Sequence, residues 1–384
     1  MFVYLCRTLI NLRTFYGDLA SQSCVLQQPW PFLTRSISSR TSHQHSFAAS
    51  YLINTFRFSQ EAAVKATKYV NFDSSEGPDS AIAFFESKGF SRNQISSLIR
   101  KVPRILVSYN PEKILLPKFQ FMYSIGISSS DLARTVTSYP DVLRRSLEKQ
   151  LIPSVNFLRD LLRSDERVVL AFRRFPDIFA HDLSKNVEPN VKILRECGVP
   201  ESNIADLVTW HPRAILEKND SFREVVNSVR KMGFNPSKGV FVLAVNAMAS
   251  MSKKKWEKKM EAYRSWGWSE EDILVAFGKH PWCMITSEDK IMAVMDFFVN
   301  TMGWDSYLIS RNPIILTLSL KKRIIPRCLV FHALLSKGLY KKELRIHALL
   351  NSPEEYFLKR FVTCHEKEAP QLLKLYKKKL NCPT

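Results

Sequence analysis

The chain of 384 residues has the length of one large or two ordinary domains, and its 45% apolar and 24% charged residues are typical of a folded protein. Its formal net charge of +20 favours a polyanionic partner, either nucleic acid or an anionic membrane surface. Seven scattered cysteines without a Cys-x-x-Cys pair argue against a disulfide framework or a zinc site, and no apolar run approaches the roughly 18 residues that insert into a membrane.

The first fifty residues are predicted to be an organellar transit peptide. They contain four arginines, no lysine and a single acidic residue, Asp18, while Ser and Thr crowd residues 34–50. An apolar opening with spaced arginines favours a mitochondrial destination, and the chloroplast is the alternative. Removing four positive charges and one negative charge from +20 leaves +17, so the basic character belongs to the body of the protein.

Residues 51–80 are expected to contain one N-terminal helix and a linker. The helix is predicted from Gln60 to Val70, and an acidic, turn-rich stretch from Asp73 to Asp79 forms the linker. The repeat domain is then expected over residues 81–375, followed by a basic C-terminal tail at residues 376–384.

A residue suited to ending a helix recurs along the body of the chain at steps of 34 to 37 residues. These residues are Gly89, Gly126, Leu162, Gly198, Gly233, Gly267, Gly303 and Gly338. Glycine adopts the left-handed conformation that follows a helix at little steric cost, and only Leu162 departs from it. Each position therefore predicts the end of a first helix, here called helix A.

A second helix, helix B, is predicted to begin two residues after each of these positions. The expected N-cap residues are Ser91, Ser128, Ser164, Pro200, Asn235, Ser269, Asp305 and Tyr340. Most have a side-chain oxygen that can accept a hydrogen bond from the free N–H groups of the first turn. Ser91, Ser128 and Ser269 each have Gln or Asp three residues later, which resembles a capping box. Apolar residues four and eight positions after the cap predict one buried face.

Prolines recur with the same period. Helix B is expected to stop at Pro103, Pro140, Pro176, Pro212 and Pro281, with Ala247 in the fifth unit and an earlier proline, Pro313, in the seventh. An apolar residue three positions after each proline predicts a short third segment that packs back. The next helix A is expected to open at Pro117, Pro153, Pro189 and Pro326.

One such unit cannot bury its apolar face alone, so neighbouring units must stack on each other. The predicted fold class is therefore all-α, a curved superhelical solenoid of about eight helical repeats of 34–37 residues.

Units such as GFSRNQISSLIRKVPRIL, GISSSDLARTVTSYPDVL and GWSEEDILVAFGKHPWCM resemble the repeats of the mitochondrial transcription termination factor (mTERF) family. The resemblance extends over most of the repeat domain, and the number of units and the style of the leader are similar to those of plant members. It implies a superhelix whose basic concave side binds organellar nucleic acid. Family members act in transcription termination or initiation, in rRNA maturation and in intron splicing.

Phosphate binding requires lysines and arginines on one surface. The candidate nucleic-acid-binding residues are Arg100, Lys101, Arg104, Arg144, Arg145, Arg173, Arg174, Arg213, Lys253, Lys254, Lys255, Lys258, Lys279, Lys321, Lys322 and Arg323. Those at the ends of helix B are equally consistent with cations that complement the helix dipole. The clusters at 253–258 and 321–323 open helix A, where positive charge opposes the dipole, which favours a role in binding.

Three aromatic residues near the ends of helix B, Tyr139, Phe175 and Trp210, could stack on unpaired bases, but core packing is the preferred interpretation. No phosphate-binding loop, paired carboxylates, or nucleophile with a partner histidine is visible. We therefore expect a protein that is not an enzyme and that needs no metal or other cofactor.

The leading hypothesis is an organellar protein that binds double-stranded DNA to control mitochondrial transcription or its termination. The alternative is an RNA-binding factor for organellar intron splicing or rRNA maturation. A further alternative is a protein-interaction scaffold. Organellar transcription or splicing proteins are the expected protein partners, and the chain is expected to be a monomer.

Overall fold

The computed structural model describes residues 46–108, 110–340, 345–367 and 369–380, and these residues form helices but no strand. They belong to two compact units, an N-terminal unit of residues 46–222 and a C-terminal unit of residues 223–380. The predicted transit peptide lies mostly outside the described residues and stays a prediction.

Two helices precede the repeats, Phe47–Phe56 and Gln60–Thr67. The second lies where the sequence predicts a helix, whereas the first crosses the expected end of the transit peptide at residue 50. The acidic stretch that was expected to be a linker supplies the first turn of the helix Glu76–Ser87. Pro78 is compatible with this turn because the N–H that it lacks would have no partner within the helix.

Each repeat contains helix A, helix B and, in most repeats, a short third helix, here called helix C. Helix A of repeats 1 to 8 spans Glu76–Ser87, Pro111–Leu115 with Leu116–Ser124, Leu147–Leu151 with Ile152–Leu162, Leu183–Asn186 with Glu188–Glu196, Asn219–Lys231, Lys253–Arg264, Glu288–Asp296 with Phe297–Thr301, and Leu320–Ile324 with Ile325–Ser336. Helix B spans Arg92–Lys101, Ser129–Ser138, Asp165–Arg174, Glu201–Trp210, Gly239–Ala249, Glu270–Lys279, Ser306–Arg311 and Ile346–Leu350.

Helix C begins at or next to the proline that ends helix B. It spans Pro103–Leu106, Pro140–Arg144, Pro176–Ala180, Pro212–Ile215, Trp282–Ile285 and Pro313–Thr317 in repeats 1 to 4, 6 and 7. The apolar residue three positions after each proline is buried, so the predicted third segment is confirmed. In repeat 3, for example, the ring of Phe179 stacks on that of Phe172 in helix B at 4.7 Å. The chain continues after repeat 8 with Glu354–Phe357, Leu358–Val362, Thr363–His365 and Gln371–Leu380.

The glycine at the end of helix A has a positive φ in seven repeats, from 66° to 92°. Gly198, at 85°, has no atom within 4 Å of the position that a Cβ would occupy, so its backbone conformation alone accounts for glycine there. The prediction for repeat 3 is wrong by one residue. Leu162 is the last helical residue and is buried, and Arg163 takes the left-handed conformation with φ 56°.

The prediction that prolines open helix A is confirmed for Pro189, which is the second residue of the helix Glu188–Glu196, but it is wrong for the other three. Pro117, Pro153 and Pro326 lie one turn inside, immediately after a π-helical turn. In that turn the N–H groups bond to carbonyls five residues back instead of four. The α-helical bonds therefore start again only at the proline, where the absence of an N–H costs no hydrogen bond. Each of these segments is capped earlier by the side chain of Asn or Ser, namely Asn110, Ser146 and Ser319.

Capping of helix B follows the sequence in most repeats. Ser91 with Gln94 and Ser269 with Asp272 form complete capping boxes. In repeat 2 the Ser128 side chain accepts from the Asp131 N–H at 3.2 Å, but the Asp131 carboxylate accepts from the Ser128 hydroxyl at 2.9 Å, so this box is only half formed.

Repeat 5 differs most from the others. Asn235 does not cap helix B, because its side chain closes a local turn by accepting from the Ser237 N–H at 2.9 Å. Helix B begins four residues later at Gly239, and it continues past the expected stop at Ala247 because no proline interrupts it. This helix is apolar, and six of its eleven residues are buried. In repeat 8, residues 341–344 at the expected start of helix B lie outside the described residues.

Helices B pack against each other in repeats 1 and 2, 3 and 4, 5 and 6, and 6 and 7, and repeats 2 and 3 meet through their helices C. Helices B and C of one repeat also pack against each other. The stripe four residues after the cap is buried at Ile95, Leu132, Val168, Ile204, Ile273 and Ile309. Helices of this length are marginal alone, so their stability must come from this shared core. The predicted all-α helical-repeat fold is confirmed.

Candidate nucleic-acid interface

Three candidate cations at the end of helix B bind the next repeat. The Lys101 ammonium donates to the carbonyl oxygens of Thr137 and Ser138 at 2.7 and 3.1 Å. Arg174 donates to the Trp210 carbonyl at 3.5 Å, and Lys279 donates to the Arg311 carbonyl at 3.4 Å. Each lies two residues before the proline that ends its own helix B. These cations therefore lie at the negative end of the dipole of the neighbouring helix. The sequence alone allows either this role or phosphate binding for them.

Other arginines near the ends of helix B also have partners in the protein. Arg100 donates to the carbonyl oxygens of Phe56 and Arg57, both at 3.0 Å. The Arg173 Nε lies 3.3 Å from the carboxylate of Asp131 in the preceding repeat. Both guanidinium groups therefore join consecutive helical layers of the N-terminal unit.

The remaining candidate arginines of this unit differ in whether their side chains have a partner in the protein. Arg144 pairs with Asp141 at 3.0 Å, and Arg145 is half-buried with its Nε lacking a described partner. Arg104 lies 5.8 Å from the centre of the Tyr69 ring. Arg213 is exposed, and its side chain makes no hydrogen bond or ion pair within the described residues.

The cluster at 253–258 opens helix A of repeat 6, as the sequence predicts. Its cap is Ser252, which accepts from the Lys255 N–H at 3.3 Å. The Lys253 side chain is fully exposed and lies 3.7 Å from Glu224. Exposed Lys254, Lys255 and Lys258 have no ion pair in the described ranges. Unlike the cations that bind carbonyl oxygens at the ends of helix B, these three ammonium groups keep all their N–H donors for a ligand.

The cluster at 321–323 opens helix A of repeat 8 and is divided between two roles. Lys321 and Lys322 are exposed, with no ion pair to another described residue. Arg323 is half-buried and donates to the carbonyl oxygens of Leu350 and Ser352 at 2.9 and 2.5 Å. Of this cluster, only the two lysines have charges directed at solvent.

Sequence reasoning missed a column of polar residues that join helix A to the segment after helix B of the same repeat. The donors are Lys118, Ser154, Asn190, Lys259, Lys290 and Arg327, and each acceptor is a main-chain carbonyl 22 to 27 residues later. We call this column the A–C clamp. Four of its members directly follow a helix A proline, a signal that the sequence contains.

Five of the six clamp side chains are buried, and Lys290 is half-buried. Lys118 donates to the Leu143 carbonyl at 2.6 Å, and burial lowers the pKa of its ammonium. Arg327 is fully buried, binds the Ser352 carbonyl at 2.8 Å and pairs with Glu354 at 3.0 Å. Burying these groups is costly without partners, so their hydrogen bonds determine where helix C lies against helix A.

The expectation that aromatic residues at the ends of helix B pack in the core is wrong for two of the three. Tyr139 and Trp210 are 44% and 43% exposed, while Phe175 is half-buried. The guanidinium of Arg174 lies over the Trp210 ring at 4.4 Å. Both exposed rings lie at the end of helix B, just before the proline, beyond the apolar face by which helix B is buried.

Burial shifts the pKa of three side chains at or just after the ends of helix B. Burial, with the charge of Arg174, lowers the pKa of His211, and burial lowers the pKa of His280, which favours the neutral imidazole in both. Burial raises the pKa of the Cys283 thiol to about 12, which suppresses the nucleophilic thiolate. Among the described residues, no group of three or more His, Cys, Asp or Glu side chains could hold a metal ion. None of the described helices is both long and apolar enough to span a bilayer.

Comparison with known proteins gives a consistent result. The mTERF family model matches residues 82–247 and 241–358, and the two matches meet in helix B of the atypical repeat 5. No curated protein matches the chain. Proteins of this family are nucleic-acid-binding factors. The chain therefore belongs to the mTERF family.

Proposed function

We propose that this protein acts in mitochondria, where it binds double-stranded DNA and controls transcription or its termination. Family membership supports nucleic-acid binding, and the location and charge of two exposed lysine groups support the site. These groups, here called the lysine openings, are Lys253, Lys254, Lys255 and Lys258 in repeat 6, and Lys321 and Lys322 in repeat 8.

The lysine openings support the proposal because they place positive charge at the starts of helices, where it is unfavourable. Lysine in the first turn of a helix faces the positive end of the helix dipole, which costs roughly 0.3–1 kcal/mol per charge. The equivalent turn of repeat 7 follows the ordinary pattern, with Glu288 and Asp289 after the Ser287 cap. Glu288 pairs with the Lys259 ammonium at 2.9 Å and also attracts Lys255 and Lys258, and Lys253 lies 3.7 Å from Glu224, so nearby acids offset part of this charge. The positive charge that remains at the start of the helix, where it is unfavourable, is explained by a polyanionic ligand.

The magnitude of the effect follows from counterion release. Each lysine that neutralises a phosphate of duplex DNA adds about 0.9 to the slope of log K against log salt. The six ammonium groups of the lysine openings therefore set an upper limit of about 5 on their share of that slope. Such a contribution is large enough to be resolved in a titration.

The test is a titration of the purified full chain against duplex DNA, structured RNA and a polyanion control over a range of salt concentrations. The variant Lys253→Glu, Lys254→Glu, Lys255→Glu is compared with a control that changes charge equally, Lys65→Glu, Lys68→Glu, Lys192→Glu. These three control lysines are exposed in the N-terminal unit. Circular dichroism and thermal melting establish that both variants remain folded.

We expect the wild type to prefer duplex DNA over the polyanion, and the repeat 6 variant to lose affinity and slope while the control variant retains both. Preference for structured RNA over duplex DNA would instead favour a role in intron splicing or rRNA maturation. Equal affinity for all three ligands would refute nucleic-acid recognition, and equal losses in both variants would refute the assignment of the site.

A further inference from the structure

We propose a second binding site, for unpaired nucleotides, along the ends of helices B in the N-terminal unit. It consists of Lys101, Tyr139, Arg174 and Trp210, which we call the B-end row, in repeats 1 to 4 in that order. The inference rests on the proposed nucleic-acid binding and adds a second site that takes a different form of the ligand, a single strand instead of a duplex.

The B-end row is exposed. Tyr139 and Trp210 are 44% and 43% exposed although large aromatic rings in this protein are mostly buried. Lys101 and Arg174 are also exposed. Lys101, Arg174 and Trp210 are the last residues of their helices B, two residues before the proline, and Tyr139 is the C-cap residue directly before its proline. Cation and aromatic ring thus alternate from one repeat to the next within one residue of the end of helix B.

Direct contacts place the four residues on one continuous edge. The Lys101 ammonium binds the Thr137 and Ser138 carbonyls, next to Tyr139. Arg174 donates to the Trp210 carbonyl at 3.5 Å and covers its ring at 4.4 Å. In the middle of the row, helices C of repeats 2 and 3, Pro140–Arg144 and Pro176–Ala180, pack against each other, and they begin directly after Tyr139 and two residues after Arg174. Successive positions are therefore neighbours in the fold.

These contacts leave capacity for a ligand. Lys101 has three N–H donors and Arg174 has five, of which the carbonyl oxygens of the next repeat occupy two and one respectively. The remaining donors and both full positive charges can bind phosphate oxygens. Nearby Asp141 does not cancel this charge, because it pairs with Arg144 at 3.0 Å.

The chemistry of the row fits an unpaired strand better than a duplex. Bases in a duplex are stacked on each other, so an aromatic face can reach them only when they are unpaired. Unpaired bases stack on Tyr and Trp rings and on guanidinium planes, and some helical-repeat proteins bind one base per repeat. Tyr139 and the Arg174–Trp210 stack provide such surfaces in repeats 2 and 4, and the cations between them suit the connecting phosphates.

The experiment measures binding of the full chain to a single-stranded RNA, the same sequence as single-stranded DNA, and its fully paired duplex. The test variant is Tyr139→Ala with Trp210→Ala, and Tyr139→Phe with Trp210→Phe preserves the rings. Tyr356→Ala is the matched control, because Tyr356 is 44% exposed and has the Arg360 guanidinium 5.8 Å from its ring, but does not lie at the end of a helix B. Thermal melting checks the fold of each variant.

Loss of base stacking predicts a fall in single-strand affinity of about 5- to 150-fold for each ring removed. Duplex affinity should change less than twofold, and the Phe and Tyr356→Ala variants should bind as the wild type does. The RNA and DNA arms identify which strand is preferred, and a preference for either supports the site. Unchanged single-strand affinity in the Ala variant, or equal losses for single strand and duplex, would overturn the B-end row alone. Failure of the wild type to prefer any nucleic acid over a polyanion would instead refute the proposed function.

Discussion

Replacing Asn190 tests the A–C clamp most sharply, because this side chain is fully buried and makes two strong hydrogen bonds. Its amide donates to the carbonyl oxygens of Ile215 and Glu217 at 2.9 and 2.7 Å. Substitution by Leu keeps the branched shape of the side chain but leaves both carbonyls without this donor, at about 1–3 kcal/mol for each buried group. Leu also removes the Asn190 Oδ1, which is buried without a described partner, so part of that cost is offset.

We expect Asn190→Leu to lower the free energy of unfolding by about 1–3 kcal/mol. Asn190→Asp should cost more, because it places a carboxylate against two carbonyl oxygens in a buried site. Lys192→Leu on the same helix is the control, since Lys192 is exposed and its change should stay within roughly 0.5 kcal/mol.

Urea unfolding followed by circular dichroism ranks these variants, and hydrogen exchange locates the change. Repeat arrays do not always unfold in one step, so loss of amide protection should be largest in helices A and C of repeat 4. Variants that lose less than about 0.5 kcal/mol, or an Asp variant more stable than the Leu variant, would refute the clamp as a source of stability.

Three further variants test other parts of the structure. Gly198→Ala should lower stability by about 1–2 kcal/mol in thermal melts through backbone strain alone, since its Cβ would meet no atom. Arg163→Gly should raise stability by up to about 1 kcal/mol, because a non-glycine residue now occupies the left-handed position; an unchanged melting temperature would contradict this. Burial alone would raise the pKa of Glu354, but hydrogen bonds from Tyr376 and Arg327 outweigh it and hold the pKa low. The contribution of Glu354 is therefore present above its ordinary value of 4.5 and is lost as pH falls through the lower folded value. Glu354→Gln should flatten the acid dependence of melting below that pH, and an unaltered profile would contradict the assignment.

The sequence predicts the repeat length and the ends of most helices because both depend on local backbone chemistry. Gly198 and Pro212 impose backbone restrictions that hold in any tertiary context, so their columns locate the ends of helices A and B. The same logic fails at Pro117, since a π-helical turn removes the penalty that a proline carries inside a helix. A sequence pattern does not distinguish a proline that opens a helix from one that follows such a turn.

The basic residues show why a binding site is harder to predict than a fold. Lys101 and Lys255 are both lysines at helix ends, but the first binds carbonyl oxygens of the next repeat and the second has no ion pair in the described ranges. The difference depends on which helix terminus lies beside each ammonium, and that is a property of the packed array. Exposure of Trp210 depends likewise on packing between repeats, which the spacing of residues does not encode.

The central claim is that the lysine openings bind nucleic acid in the organelle. Ultraviolet crosslinking of the protein in intact mitochondria, followed by identification of the crosslinked peptides, tests it most directly. The prediction is that nucleotide-modified peptides contain residues 253–258 and 321–322, and that the recovered nucleic acid is mitochondrial DNA. Absence of crosslinked nucleic acid, or crosslinks confined to other peptides, would contradict the claim.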